Sequence, residues 1–212
     1  TALMGLAESL RHSQPPLAPS QADMAQALVE QARALNALVN NLLEMARLQS
    51  GAINLRLDWQ SVEEVVGSSI RAARPALGEQ RIQTDLSADL PLVEFDASLI
   101  ERVLVNLLEN AAKYGAPPIV ISGRATDEAL VITVRDHGPG LPGALRGHEH
   151  DLFEKFARGK VESVTPGVGL GLAICKAVIG AHGGQVSATN APDGGAEFSF
   201  TLPRRTPPDT PE

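Results

Sequence analysis

Asn106, Asn110 and Lys113 recur at spacings of four and three within Glu101 to Tyr114, a segment otherwise dominated by Val, Leu and Ala. The apolar spacing predicts a helix, and residues three and four apart on a helix point the same way. Two carboxamides and an ammonium would therefore converge on one spot. A carboxamide oxygen suits a hard cation such as Mg²⁺, and an ammonium suits a phosphate. The competing reading is a solvent-facing stripe in which Asn serves solubility.

Glycine-rich segments lie downstream. Val134-Arg135-Asp136-His137-Gly138-Pro139-Gly140 comes after a β-branched run from Leu130, so it reads as a strand ending in a carboxylate and opening into a loop. Thr165 to Ile174, with Gly167, Gly169, Leu170, Gly171 and Leu172, leads into a helical pattern. That places flexible backbone and free N–H groups at a helix N-terminus, where an anion binds. Asp193-Gly194-Gly195-Ala196 lies between two alternating runs and predicts a hairpin turn. Taken singly, each is also compatible with an ordinary turn or cap. The stretch at Gly167 lacks the Gly-Lys-Ser/Thr of a phosphate-binding P-loop and the third glycine of a dinucleotide fingerprint.

The ordered set is more specific. An Asn helix, Asp-x-Gly-x-Gly, a Phe-containing segment Phe153 to Gly159, Gly-x-Gly-Leu-Gly-Leu and Gly-Gly-Ala occur in that order. Over residues 51 to 203 the chain resembles the ATP-binding domain of sensor histidine kinases, a nucleotide fold shared with gyrase and Hsp90-type chaperones. The resemblance implies that Asn110 ligates Mg²⁺, Lys113 contacts phosphate and Tyr114 lies against the nucleotide. It makes Asp136 the acceptor for the exocyclic amine of adenine, where guanine carries a carbonyl instead. Gly138 and Gly140 would let backbone pass close to the purine. Gly167, Gly169 and Gly171, with Leu170 and Leu172 between and after them, would wrap the phosphates. Residues 141 to 166 would be a lid, with Arg158 a candidate γ-phosphate contact.

Asn106 bears on the kind of reaction. ATP-hydrolysing relatives carry a Glu four residues before the magnesium Asn, and this chain has Asn106 there, with Glu109 immediately before Asn110. A carboxamide accepts no proton at neutral pH, so water is a poor nucleophile and transfer to a histidine is favoured. Whether Glu109 acts as an orienting base stays open. A regulator phosphatase and a non-catalytic ATP-dependent clamp remain the other readings, with Asn106 arguing against the clamp.

These groups need elements to hold them. Leu28, Leu35 and Leu42 recur every seven residues, with Met24, Leu38 and Met45 three positions after heptad sites, which predicts a coiled-coil or bundle helix. Ser20 is the expected N-cap, and Pro15, Pro16 and Pro19 separate this helix from residues 1 to 12. Residues 1 to 50 therefore read as a helical hairpin that would dimerise through Leu35, Leu38 and Leu42, or alternatively as an intrachain cap. Residues 51 to 203 form the catalytic domain, and residues 204 to 212 a disordered tail.

The family carries its acceptor histidine in a His-Asp-Leu-Arg-Thr-Pro-Leu type segment. His12, beside Ser13, Gln14, Pro15 and Pro16, does not match it, and Thr1 to Gly5 resembles the residues directly after that segment. The expectation is a chain that starts just past its acceptor. The resemblance further implies a response regulator receiver domain as partner and the cytoplasmic portion of a membrane-anchored sensor.

A formal net charge of −7 without a Lys/Arg cluster argues against nucleic acid. No apolar run approaches bilayer-spanning length. The one cysteine, Cys175, sits in an apolar helical pattern and reads as core, and His148 and His150 read as solvated loop residues rather than a metal site. Strands are expected near 53–58, 80–86, 92–95, 118–124 and 129–136, with helices opened by a Ser61/Glu64 capping box and by Asp96, and another near 169–182. With the closing hairpin they form a two-layer α/β sandwich.

Overall fold

The computed structural model describes residues 5, 17–49, 55–141, 149–153 and 170–205. A long helix α1 (Pro19–Gln49) precedes β1 (Asp58–Gln60), α2 (Val62–Leu77), β2 (Ile82–Leu86), β3 (Val93–Phe95), α3 (Ala97–Tyr114), β4 (Ile119–Ala125) and β5 (Ala129–Arg135). A 3₁₀ turn (Glu149–Phe153), α4 (Gly171–Ala181), β6 (Val186–Asn190) and β7 (Ala196–Pro203) complete the order.

The main sheet has the order β2-β4-β5-β7-β6, with only β2 and β4 parallel, and β1 pairs separately with β3. Strict alternation puts Ile119 and Ile121, Leu130, Ile132 and Val134, and Phe198, Phe200 and Leu202 on one buried face. Register stacks them in rows, Ile121 opposite Val134 and Val134 opposite Phe198. The other face keeps hydroxyls such as Thr133 and Ser199, whose oxygens are 2.8 Å apart. One apolar face is what a two-layer sandwich requires. Ile100, Val103, Leu104, Leu107, Leu108 and Ala111 form the buried stripe of α3, and Val62, Val65, Val66, Ala73 and Leu77 that of α2.

The caps are local and hold. Ser61 Oγ accepts from Glu64 N at 3.5 Å, and Asp96 Oδ1 accepts from Ser98 N and Leu99 N at 3.1 and 3.2 Å. Three expectations shift. Of the strand expected at 53–58, residues 53 and 54 lie outside the described residues, and the strand observed is Asp58–Gln60, with the Arg56 N–H just before it taken by Asp96 Oδ2 at 3.0 Å. Ser20 is not the N-cap of α1. The helix opens at Pro19, whose missing N–H costs nothing in a first turn, and the Gln21 side chain accepts from Ala18 N at 3.1 Å. Of the tail expected at 204–212, Arg204 N donates to Glu128 O at 2.9 Å and Arg205 pairs with Glu94 at 2.6 Å, and residues 206–212 lie outside the described residues.

On α1, Ala25 and Val29 are buried, and the helix contacts α4. Met24, Leu28, Leu35 and Val39 are exposed, so this helix has both an intrachain face and an apolar outer face. Leu38 and Leu42 of the expected seam have side chains outside the described residues, as does all of His12. Cys175 is buried, as its apolar setting predicts.

Candidate functional site

α3 is the spine of the site. Asn106, Asn110 and Lys113 succeed one another along one side of it, flanking the buried stripe, and its last turn delivers Tyr114 and Gly115. From Asn106 to Gly115 the helix rises about 13 Å, the scale of an extended nucleoside triphosphate. Each end of that span meets a glycine segment.

At the Gly115 end stands Asp136, just past β5 and buried. Its backbone N–H donates to Ala196 O at 3.0 Å, while its Oδ1 accepts from Gly138 N at 2.8 Å and from Ala196 N at 3.4 Å. Glycines close the packing around it. A Cβ on Gly115 would lie 2.4 Å from both Cβ and Cγ of Asp136, and one on Gly138 would lie 2.6 Å from Gly115 Cα. Gly195, at φ +88°, would put a Cβ 1.9 Å from Asp136 O. His137 braces the same loop, its N–H donating to Ala116 O at 2.9 Å and its Nδ1 lying 2.7 Å from Pro118 O. The carboxylate is thus held by rigid backbone.

At the Asn106 end, α4 begins. A Cβ on Gly171 would lie 3.5 Å from Asn106 Oδ1, so glycine lets the helix start approach the carboxamide. Leu170, buried and apolar, gives α4 no side-chain cap, and Leu172 packs partly buried behind it. Asn106 Nδ2 is buried with no partner among the described residues. A donor unmet among the described residues, beside a helix start whose N-cap Leu170 supplies no side-chain hydrogen bond, fits a ligand carrying anionic oxygens.

Glu109 is exposed by area, yet the surrounding chain desolvates its carboxyl and raises its pKa, an effect that the Lys113 ammonium one turn on opposes. Lys113 Nζ lies 5.2 Å from the centroid of the Tyr114 ring, a cation–π arrangement on a residue that is itself 42% exposed. Phe153 anchors the far side, buried and edge-on to Phe198 at 6.5 Å and 77°.

The structure therefore brings Asn106, Gly171 and the start of α4 together, and Asp136 and Gly138 together beside Gly115. Gly140 ends the Asp136 loop at φ +81°. Gly167, Gly169, Arg158 and most of the 141–166 segment lie outside the described residues. Sequence reasoning missed Gly115 and Asn190. Gly115 reads as a plain helix end, and Asn190 as the last residue of a strand.

The sequence pattern of the histidine kinase-, DNA gyrase B- and HSP90-like ATPases matches residues 95–206, and that of the His Kinase A phospho-acceptor domain matches residues 1–51. The chain belongs to the histidine kinase branch of this ATPase family. It is 50% identical over 177 residues to the sensor protein KdpD of Escherichia coli strain K12, covering 82% of this chain and 19% of that protein. The signal transduction histidine-protein kinase AfsQ2 of Streptomyces coelicolor is 37% identical over 182 residues, 85% of this chain and 33% of that protein. Full-length ShkA, solved in complex with AMPPNP, superposes with a TM-score of 0.78 at 29% identity, covering 96% of this chain and 42% of that one. The chain thus spans about a fifth of the length of the KdpD relative. Among the described residues no helix is long and apolar enough to cross a membrane.

Proposed function

We propose that this chain is the ATP-binding catalytic part of a two-component sensor histidine kinase, passing the γ-phosphoryl group of ATP to a histidine and thence to an aspartate of a response regulator receiver domain. The resemblance to KdpD, which controls a high-affinity potassium uptake system, supports potassium-responsive signalling by a cytoplasmic portion of a membrane-anchored sensor. The observation that carries the kinase reading is the buried Asp136, locked by backbone at the end of the Asn helix, with an Asn106 donor that has no partner among the described residues at the other end.

In this reading Asp136 accepts the adenine amine, and Gly138 and Gly140 line the purine. Asn110 is the residue that would hold Mg²⁺, whose chemistry is to neutralise phosphate charge. Lys113 and the start of α4 bind phosphate oxygens, and Asn106, unable to take a proton from water, leaves the γ-phosphoryl group for histidine. Arg158 serves the same phosphate end. The exposed face of α1 supports a homodimer. Residues 1–51 match the phospho-acceptor domain, and the setting of His12 beside Ser13, Gln14, Pro15 and Pro16 supports a histidine other than His12 as the acceptor.

Calorimetric titration with Mg²⁺-ATP tests the site. Asp136→Ala should weaken binding by about 1.5–3 kcal/mol, the worth of a hydrogen bond to a charged group, and unchanged affinity overturns the assignment. Incubated with labelled ATP, the chain should bind nucleotide, and any acid-labile label it takes up should persist in His12→Gln. Acid-labile label that vanishes in His12→Gln would identify His12 as the acceptor after all.

A further inference from the structure

The loop from Asp136 to Leu141 is fastened at both ends to one rung of the sheet. In β6 and β7, Asn190 is the register partner of Ala196. Ala196 holds the entrance, accepting from Asp136 N at 3.0 Å. Asn190 holds the exit: its Oδ1 accepts from Leu141 N at 2.7 Å and sits where Gly140, at φ +81°, would meet it at 2.4 Å if it carried a Cβ. The Asn190 residue is exposed, so it contributes little to the core. An exposed carboxamide that accepts from the first amide after the glycine turn fixes where that turn ends.

We propose that Asn190 is a positioning residue for the purine. Its Oδ1 pins the Gly140–Leu141 turn so that the Gly138–Gly140 backbone and the Asp136 carboxylate keep the spacing a purine face and its exocyclic amine require. The proposal rests on the nucleotide reading of the site. Because only an acceptor is needed, Asn190→Asp keeps the function and the near-isosteric Asn190→Leu loses it.

The test is titration of the full 212-residue chain with ADP and with GDP, alongside amide exchange at Leu141. Asn190→Leu should bind ADP about three- to tenfold more weakly, the worth of one neutral hydrogen bond. It should also narrow the preference for ADP over GDP and speed exchange at Leu141, while Asn190→Asp restores all three. Equal ADP affinity in wild type and Asn190→Leu, equal losses in the Leu and Asp variants, or an unprotected Leu141 amide in the wild type would each overturn it. Should Asn190→Leu fail to fold, Asn190→Ala takes its place and the wild-type exchange rate still decides. A wild type that binds no ADP overturns the nucleotide reading itself, whereas ADP binding indifferent to position 190 overturns only this proposal.

Discussion

The two ends of the Asn helix are built on opposite principles. Around Asp136 the protein has satisfied itself: backbone amides occupy the carboxylate's Oδ1, and Gly115, Gly138 and Gly195 bring main chain into contact where any side chain would clash. Around Asn106 it has not, since a buried Nδ2 has no partner among the described residues and α4 starts without a side-chain cap. A base is planar and is recognised by a preformed edge. Phosphates are charged and bring their own acceptors, so donors left unmet in the protein are met on binding. The preformed end should be sensitive to added volume, and the incomplete end to lost donors.

The largest effect expected is therefore at the preformed end. Gly195→Ala must hold φ +88° and place its Cβ 1.9 Å from Asp136 O. Left-handed strain and overpacking together should cost about 2–5 kcal/mol of unfolding free energy. Urea denaturation checks this, and ADP affinity should fall in parallel because Asp136 moves. A variant as stable as wild type would mean that the loop yields and the base end is not rigid.

The opposite outcome is expected at Asn106. Replacing it with Leu removes a buried donor that has no partner among the described residues, a state that costs about 1–3 kcal/mol, so folding stability should hold or rise by up to about 1 kcal/mol. Phosphoryl transfer and the added affinity of ATP over adenosine should drop. Loss of stability with nucleotide binding intact would show that Asn106 serves the core, erasing the contrast between the two ends.

Much of this was legible in the sequence where the cause is local. Ser61 and Asp96 cap because the acceptor and the amides it serves are two or three residues apart. Alternation along β5 and β7 set their buried faces. What could not be read depends on approach between distant segments. Gly115 is a glycine because Asp136, some twenty residues on, presses against it, and Asn190 matters because it reaches Leu141. The Asp96 carboxylate that takes the Arg56 N–H just before β1 is another such approach. The pairing of Asn106 with Gly171 joins two motifs that the sequence shows only in order.

The smallest effects are electrostatic and compare two carboxylates near opposite ends of α3. Burial alone would push the Asp96 carboxyl up, but hydrogen bonds from Ser98 Oγ and from Arg56, Leu99 and Ser98 N–H groups together outweigh it and hold the pKa below the ordinary value. The folded protein then binds the proton less readily than the unfolded chain, so Asp96 contributes stability above about pH 4 that is lost as pH falls through its depressed native pKa. Glu109 has the reverse sign, because desolvation outweighs the Lys113 ammonium and raises its pKa. Its contribution is fullest below the ordinary Glu range and is lost as pH rises through the elevated native value. Stability measured against pH should show Asp96→Asn flattening the acid side of the profile, and Glu109→Gln removing a small decline that begins in the ordinary Glu range and runs upward from it. Lys113→Met, which leaves the desolvation unopposed, should move that decline to higher pH. A profile that shifts the same way in Asp96→Asn and Glu109→Gln would show that the two carboxylates do not differ as their surroundings dictate.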